Sequence, residues 1–180
     1  KRMMDAGARG VIVPMVNSRE DVEQAVAAVH YPGKGTRGVG LARAQGYGTT
    51  FHENLDWLKK EAVIIVQIEH IDAVEAMDEI VQVEGLTAVV IGANDLAGSM
   101  GHMGNPQHPD VQSAIEKVVT TAKDAGIYPG IGMVGDTEAF QKWLDKGIQW
   151  VQLGVDWWHL ANAIDTSVAQ LRQGISGRNT

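Results

Sequence analysis

The sequence of 180 residues contains no cysteine, no basic run and no apolar stretch long enough to span a bilayer. The absence of cysteine excludes disulfides, thiolate metal sites and a cysteine nucleophile. A formal net charge of −7 argues against nucleic acid or an anionic membrane as the main partner. These absences fit a cytoplasmic globular protein, and the length is sufficient for one domain with a sizeable core.

Short apolar runs alternate with amphipathic segments along the chain. Continuous β-branched runs predict buried parallel strands over residues 63–66 and 88–91. Further strands are predicted over residues 10–16, 128–134 and 150–156. Apolar residues at helical spacing predict helices over residues 19–30, 55–60, 72–83, 110–125, 137–146 and 159–171. The alternation indicates an α/β fold with a parallel sheet and right-handed crossovers.

Five β/α units are too few to close an eight-stranded barrel, and the first residues resemble the last turn of a helix that stops at Gly7. We therefore expect the last five units of a (β/α)₈ TIM barrel over residues 1–173, followed by a tail over 174–180. The alternative is an open doubly wound sheet. No G-x-G-x-x-G motif follows the first strand, and the glycine-rich segment 37–40 follows a helix instead, which argues against a dinucleotide site.

Two carboxylates follow neighbouring predicted strands. Glu69 comes directly after the second strand and Asp95 shortly after the third. The carboxyl ends of parallel strands are where α/β folds build sites. Two carboxylates suit a hard cation such as Mg²⁺ or Mn²⁺, although each could instead cap the helix that follows. Gln67 shares a strand face with Glu69 and could either donate to a bound oxyanion or serve as a satisfied core amide.

Other polar features have plain structural interpretations beside functional ones. The turn at 92–99 could direct backbone N–H groups at an anion. Arg37 could bind an anion, but we expect it to tie down its loop, and Asp5, disfavoured at a helix end, is either solvated or paired. The six histidines share no metal-ligand spacing. The simplest interpretation of His108 is that it marks the start of a helix. The tryptophan pair Trp157–Trp158 is expected either to pack in the core or to form an oligomer contact.

A series of motifs in order along the chain resembles the HpcH/HpaI aldolase family of class II pyruvate aldolases. These are the segments 13–16, 31–40, 66–69, 83–85, 92–96, 104–109 and 153–156. The resemblance implies a (β/α)₈ barrel of the phosphoenolpyruvate/pyruvate type and a divalent cation, Mg²⁺, Mn²⁺ or Co²⁺. It also implies reversible cleavage of a 4-hydroxy-2-oxo acid to pyruvate and an aldehyde through a metal-stabilised enolate, in a homo-oligomer (a hexamer in the resembling family).

The resemblance also assigns roles to individual residues. It makes Glu69 and Asp95 the metal ligands, with Asp95 beside the substrate. It places Gln67 on the pyruvate oxygens and the backbone N–H of Asn94 on the pyruvate carboxylate. It gives Asp5 the task of supporting a catalytic histidine, which would lie on an earlier strand upstream of Lys1 together with an enolate-stabilising arginine.

Some residues depart from the family pattern, and these departures bear on the preference for the aldehyde more than on metal binding. Ala93 stands where proline is usual and His70 where threonine or serine is usual, while Arg37 does not match the family's arginine. No lysine falls inside a predicted strand, so a Schiff base is not required. Two alternatives stay open: a related acyl-CoA lyase, which needs a basic groove, and a non-catalytic barrel fragment that serves as an oligomer partner.

Overall fold

A single parallel sheet of five strands forms the centre of the computed structural model, which describes residues 1–133 and 137–176. The strands are β1 (Gly10–Val13), β2 (Val63–Ile68), β3 (Ala88–Ile91), β4 (Tyr128–Met133) and β5 (Trp150–Leu153). Each strand pairs in parallel with the next one in sequence, in the order β1-β2-β3-β4-β5.

This strand order decides between the two folds that the sequence left open. In a doubly wound sheet the order reverses at a switch point, whereas in a barrel each strand lies beside its sequence neighbour. No reversal occurs among the described strands, and the sheet curls as a half-barrel. The predicted fold class, a partial (β/α)₈ barrel, is therefore confirmed.

Helices precede, connect and follow the strands. They are α1 (Arg2–Asp5), α2 (Arg19–Val29), α3 (Phe51–Glu61), α4 (Ile71–Glu75), α5 (Met77–Ile80), α6 (Ala93–Ser99), α7 (Pro109–Asp124), α8 (Thr137–Asp145) and α9 (Asp156–Ser176), with a 3₁₀ segment at Arg43–Gly48. None of the helices among the described residues combines the length and apolarity that a membrane span requires.

Alternate strand residues divide the sheet into an outer face under the helices and an inner, lumenal face. The main core on the outer face joins strand residues to α2, α4, α5 and α7, and its strand members include Val66, Ile68, Val89, Ile91 and Ile131. Since neighbouring residues of a strand point to opposite faces, the residues between them, such as Gln67, point into the half-barrel.

Two helix starts form as their sequences predict. The Ser18 side chain accepts from the N–H of Asp21 and the Asp21 carboxylate accepts from the N–H of Ser18, which makes a capping box before α2. Pro109 is the first residue of α7, where its missing N–H has no cost, and Nδ1 of His108 accepts from the N–H of Asp110.

Several predicted boundaries are wrong. The helix expected over 72–83 is two helices, α4 and α5, which meet at Ala76. The residues after β3 form helix α6 where a turn and loop were expected, so Asn94 and Asp95 are helical. Strand β5 ends at Leu153, and α9 already begins at Asp156. Apolar side chains alone cannot separate a strand end from the start of an amphipathic helix.

The C-terminal end also differs from its prediction. Helix α9 continues through Ser176, so the predicted tail over 174–180 begins inside this helix. Residues 177–180 lie outside the described residues, as does the end of the predicted strand at Val134.

Candidate functional site

The Glu69 carboxylate lies just beyond the carboxyl end of β2 and is held from two sides. The backbone N–H of Met15, in the loop after β1, donates to Oε1 at 2.8 Å. The side-chain amide of Gln67 donates to Oε2 at 2.5 Å. Met15 adopts the left-handed region with φ of 55°, which is uncommon for a residue other than glycine. Glu69 as a whole is only 6% exposed, and the two hydrogen bonds fix the orientation of its carboxylate.

Gly92 forms the wall against which this carboxylate rests. A Cβ added at Gly92 would lie 2.9 Å from Cβ of Glu69 and 3.0 Å from both Oε2 of Glu69 and Nε2 of Gln67. Real Cβ atoms do not tolerate such distances to several fixed neighbours at once. The glycine at the end of β3 is therefore required for Gln67 and Glu69 to occupy their places.

Asp95 and Asn94 stand in the first turn of α6, whose N-cap is Gly92. Both side chains are exposed, and both residues line an open cavity of about 490 Å³ at the carboxyl edge of the sheet, together with Gln67 and Gly92. Within residues 1–133 and 137–176, no group donates a hydrogen bond to the Asp95 carboxylate. The structure thus brings Gln67, Asn94 and Asp95 together at one cavity, with Glu69 against its wall.

The donor set fits a hard divalent cation. A carboxylate as buried as Glu69 normally has a cationic partner, because an unpaired charge is costly away from water. In the described part of the chain no lysine, arginine or histidine forms an ion pair with it; its two hydrogen bonds come from neutral amides. Oxygen ligands from two carboxylates are those that Mg²⁺ and Mn²⁺ prefer. Glu69 and Asp95 therefore have the ligand chemistry that such a site needs.

Four further residues line the cavity, none of which the sequence analysis assigned to the site. Gly132 and Gln152, from β4 and β5, line it, and so do Trp157 and Trp158 at the start of α9. The tryptophan pair lines the cavity, and its expected role in packing or in an oligomer contact stays a prediction. Period-two alternation in β5 could have indicated Gln152, because it shares a face with Trp150.

Asp5 lies elsewhere. It ends α1 and precedes the amino end of β1, whereas Glu69 and Asp95 follow the carboxyl ends of their strands. Its carboxylate accepts from Nη2 of Arg37 at 2.7 Å and from Nζ of Lys1 at 2.5 Å. Asp5 thus has the partners that its position at a helix end requires. Among the described residues, the structure does not bring it together with the cavity.

Arg37 ties down the glycine-rich loop, as expected. It is 2% exposed, its guanidinium lies 4.6 Å from the centre of the Tyr31 ring, and Nη1 donates to the carbonyl oxygen of Val29. Burial raises the pKa of the Asp5 carboxyl, but the hydrogen bonds and charges of Lys1 and Arg37 outweigh burial, and the net pKa is lowered. The pair is a structural ion pair between α1 and this loop.

A second polar cluster forms at the start of α7. Although their spacing showed no ligand pattern, His102 and His108 stack with ring centres 3.5 Å apart, and Nε2 of His102 lies 3.6 Å from the Asp110 carboxylate. Potential ligand atoms of all three residues lie within 4.8 Å of one another. However, the rings are within 13° of parallel, and in-plane lone pairs of parallel rings do not converge on one ion. Nδ1 of His108 already caps α7.

The chain as a whole matches known proteins. The sequence model described as HpcH/HpaI aldolase/citrate lyase matches residues 1–163. The chain belongs to this family. The resemblance seen in the motifs is confirmed, and the family is one of lyases that include aldolases.

Relatives within the family give the extent of the likeness. A 4-hydroxy-2-oxo-heptane-1,7-dioate aldolase of Shigella sonnei (strain Ss046) is 37% identical over 173 residues, covering 94% of this chain and 65% of that protein. A hydroxypyruvate/pyruvate aldolase of Pseudomonas aeruginosa is 40% identical over 158 residues, covering 87% of this chain and 58% of that protein. The chain therefore spans less than two thirds of the length of these relatives.

The solved structures of the family share the fold. The crystal structure of a HpcH/HpaI aldolase/citrate lyase family protein from Burkholderia cenocepacia J2315 matches with a TM-score of 0.87 and 31% identity. The match covers 95% of this chain and 68% of that chain.

Proposed function

We propose that this chain carries the metal-binding half of a class II aldolase site, which reversibly cleaves a 4-hydroxy-2-oxo acid to pyruvate and an aldehyde. One observation carries the proposal: the buried Glu69 carboxylate is held by two neutral donors and has no cationic partner in the described residues. It lies against Gly92 and Gln67, which line a cavity together with Asp95. The aldolase names of the family relatives support the reaction class.

Each residue at the cavity has a definite task in this proposal. Glu69 and Asp95 would hold Mg²⁺, Mn²⁺ or Co²⁺, which when bound supplies a Lewis acid for the negative charge that develops on the 2-oxo acid. Gln67 orients Glu69 with one N–H of its amide, and its second N–H is available to an oxygen of the substrate. The N–H of Asn94 belongs to the first turn of α6, where N–H groups have no intrahelical acceptor, and would donate to the pyruvate carboxylate.

Proton transfer is proposed to need groups beyond this cavity. None of the residues that line the cavity within the described chain is a histidine. Asp5 is proposed, on the resemblance alone, to support the base histidine of the complete site. Its carboxylate accepts from Arg37 and Lys1, and Asp5 does not line the cavity, so it would act on a histidine of another segment or another subunit.

The composition of the cavity does not support the acyl-CoA lyase alternative. Recognition of CoA phosphates needs basic side chains. The described lining of the cavity contains neither lysine nor arginine. A Schiff-base mechanism likewise has no candidate, because no lysine lies on any of the five strands as described.

A homo-oligomer is also part of the proposal, as is a cytoplasmic location for a chain without cysteine. Apolar side chains at helical spacing are exposed along one face of α9, with Leu160 at 64% and Ile164 at 53%. A second copy would cover this face. Ile164→Lys is expected to lower the molar mass measured by light scattering, whereas Gln173→Lys on the opposite face of α9 should not. An assembly unaffected by Ile164→Lys would contradict this interface.

An assay with pyruvate, a series of aldehydes and Mn²⁺ tests the reaction in the full-length protein. We expect aldol product that disappears on addition of EDTA and returns with Mg²⁺ or Mn²⁺. Turnover that is insensitive to EDTA would contradict the metal-dependent mechanism. The absence of product with every aldehyde, combined with no metal-dependent exchange of the pyruvate methyl protons in D₂O, would contradict the aldolase itself.

A further inference from the structure

One layer of residues crosses the lumenal face of the sheet at the carboxyl end of four strands. Ile91 pairs with Ile131, so the next residues, Gly92 and Gly132, are also neighbours, and Gly132 pairs with Gln152. Gly92 in turn lies against Glu69, because a Cβ added at Gly92 would lie 2.9 Å from Cβ of Glu69. In order from β2 to β5, the layer consists of Glu69, Gly92, Gly132 and Gln152.

The two middle members of this layer have no side chains, so the sheet between the two ends is bare. Glu69 stands at one end of this strip and Gln152 at the other. A Cβ at Gly132 would lie 3.6 Å from Oε1 of Gln152, which places the carboxamide over β4 and not out in solvent beyond β5. Neighbouring strands are about 4.8 Å apart, so the carboxamide lies about one strand spacing from β3.

The Gln152 carboxamide is free to bind a ligand. The side chain is exposed to the cavity of about 490 Å³ that Asp95 also lines. Within the residues that the structure describes, it forms no hydrogen bond to another group. A carboxamide offers two donors and one acceptor and carries no charge. Because the described lining of this cavity has no cationic side chain, a hydroxyl group is a better complement to this end than a carboxylate.

We propose that Gln152 is a specificity-determining residue that hydrogen-bonds a hydroxyl group on the aldehyde portion of the substrate. This inference rests on the proposed function, which places the 2-oxo acid at Glu69 and Asp95. The aldehyde portion then extends along the bare strip over Gly92 and Gly132 toward Gln152. A short hydroxylated aldehyde is selected over an apolar one of the same size, because only the former satisfies the carboxamide when water is displaced.

The test compares glycolaldehyde with propionaldehyde, which have the same number of non-hydrogen atoms and differ by a hydroxyl in place of a methyl group. In the full-length protein with Mn²⁺ and pyruvate, we expect a higher kcat/KM for glycolaldehyde. Gln152→Met removes the hydrogen bond at similar volume and should lower the glycolaldehyde-to-propionaldehyde ratio by about three- to tenfold, the worth of one net hydrogen bond. Gln152→Ala should lower the same ratio.

Gln149→Met is the matched control. Gln149 directly precedes β5, is exposed and does not line the cavity. We expect this variant to keep the ratio of the parent protein. An unchanged ratio in both Gln152 variants would overturn the inference. Metal-dependent exchange of the pyruvate methyl protons separates this failure from failure of the proposed function: exchange persists when only the role of Gln152 is wrong, and its absence overturns both.

Discussion

The side-chain amide of Gln67 donates a hydrogen bond to Oε2 of Glu69, two residues further along the chain on the same face of the sheet. The backbone N–H of Met15 donates to the other carboxylate oxygen. Each oxygen therefore receives one N–H and retains a lone pair for a ligand in the cavity. The carboxylate is oriented before any cation binds, which lowers the entropy lost on binding.

Replacement of Glu69 by Gln is expected to abolish tight Mn²⁺ binding. The variant loses the negative charge, and its amide would present a donor to either the Gln67 amide or the Met15 N–H, both of which are donors. Loss of a group that merely orients a ligand lowers metal affinity by about 10- to 100-fold, so loss of the ligand itself should exceed 100-fold. Calorimetric titration with Mn²⁺ measures this. Glu75→Gln, exposed on α4, serves as control. Retained affinity in Glu69→Gln would exclude Glu69 as a ligand.

Replacement of Gly92 by Ala adds one methyl group against Glu69 and Gln67. Since the new Cβ would lie 3.0 Å or less from three of their atoms, the carboxylate must move. We expect Mn²⁺ affinity to fall by about tenfold and stability by about 1–3 kcal/mol, as in other overpacked sites. Gly174→Ala is the control, because a Cβ there meets nothing within 4 Å. If Gly92→Ala and the parent protein gave the same Mn²⁺ titration curve, the position of Glu69 against Gly92 would not matter for metal binding, and the prediction would be wrong.

Replacement of Arg37 by Gln is expected to destabilise the protein by about 2–4 kcal/mol, measured by urea unfolding. The change leaves Asp5 without its main counter-ion, and breaking a buried pair from one side is costly. The value is set somewhat below that for a fully buried pair because the Asp5 side chain is 16% exposed. The exposed pair Arg19–Glu23 is the reference: Arg19→Gln should cost less than about 0.5 kcal/mol. Equal effects of the two substitutions would contradict the structural role of Arg37.

Stability is expected to depend on pH through His30. Burial lowers the pKa of His30, and the charges of Lys34 and Arg37 lower it further. The unfolded chain, with an ordinary histidine pKa of about 6.5, therefore binds a proton at a higher pH than the folded chain does. His30 contributes stability that is complete above pH about 6.5 and is lost as the pH falls through the lowered pKa.

Urea unfolding between pH about 5 and 7.5 tests this dependence. His30→Gln should reduce the loss of stability on the acid side, whereas His52→Gln, which removes an exposed imidazole, should leave it as in the parent protein. An identical pH dependence in His30→Gln and the parent would show that His30 is not the titrating group.

Local patterns were enough to predict much of this half-barrel. The short apolar segments predicted all five strands as described. Two helices begin where local signals place their starts, at Ser18 with Asp21 and at Pro109. These features depend on residues a few positions apart, whose effect on the backbone is direct. The boundary between β5 and α9 was misplaced, because Trp157 and Trp158 are apolar in either element and only tertiary contacts decide which one forms.

The sequence by itself determined that Gln67 and Glu69 share one face, since strand periodicity requires it, and that this face meets Asp95 at the carboxyl edge of a parallel sheet. Only the tertiary structure decided the contacts between distant segments. The Met15 N–H reaches Glu69 across 54 positions of the chain, Arg37 reaches Asp5 across 32, and Gln152 turns over Gly132 through the register of β4 and β5. Such contacts arise from strand register and packing, which no local pattern encodes.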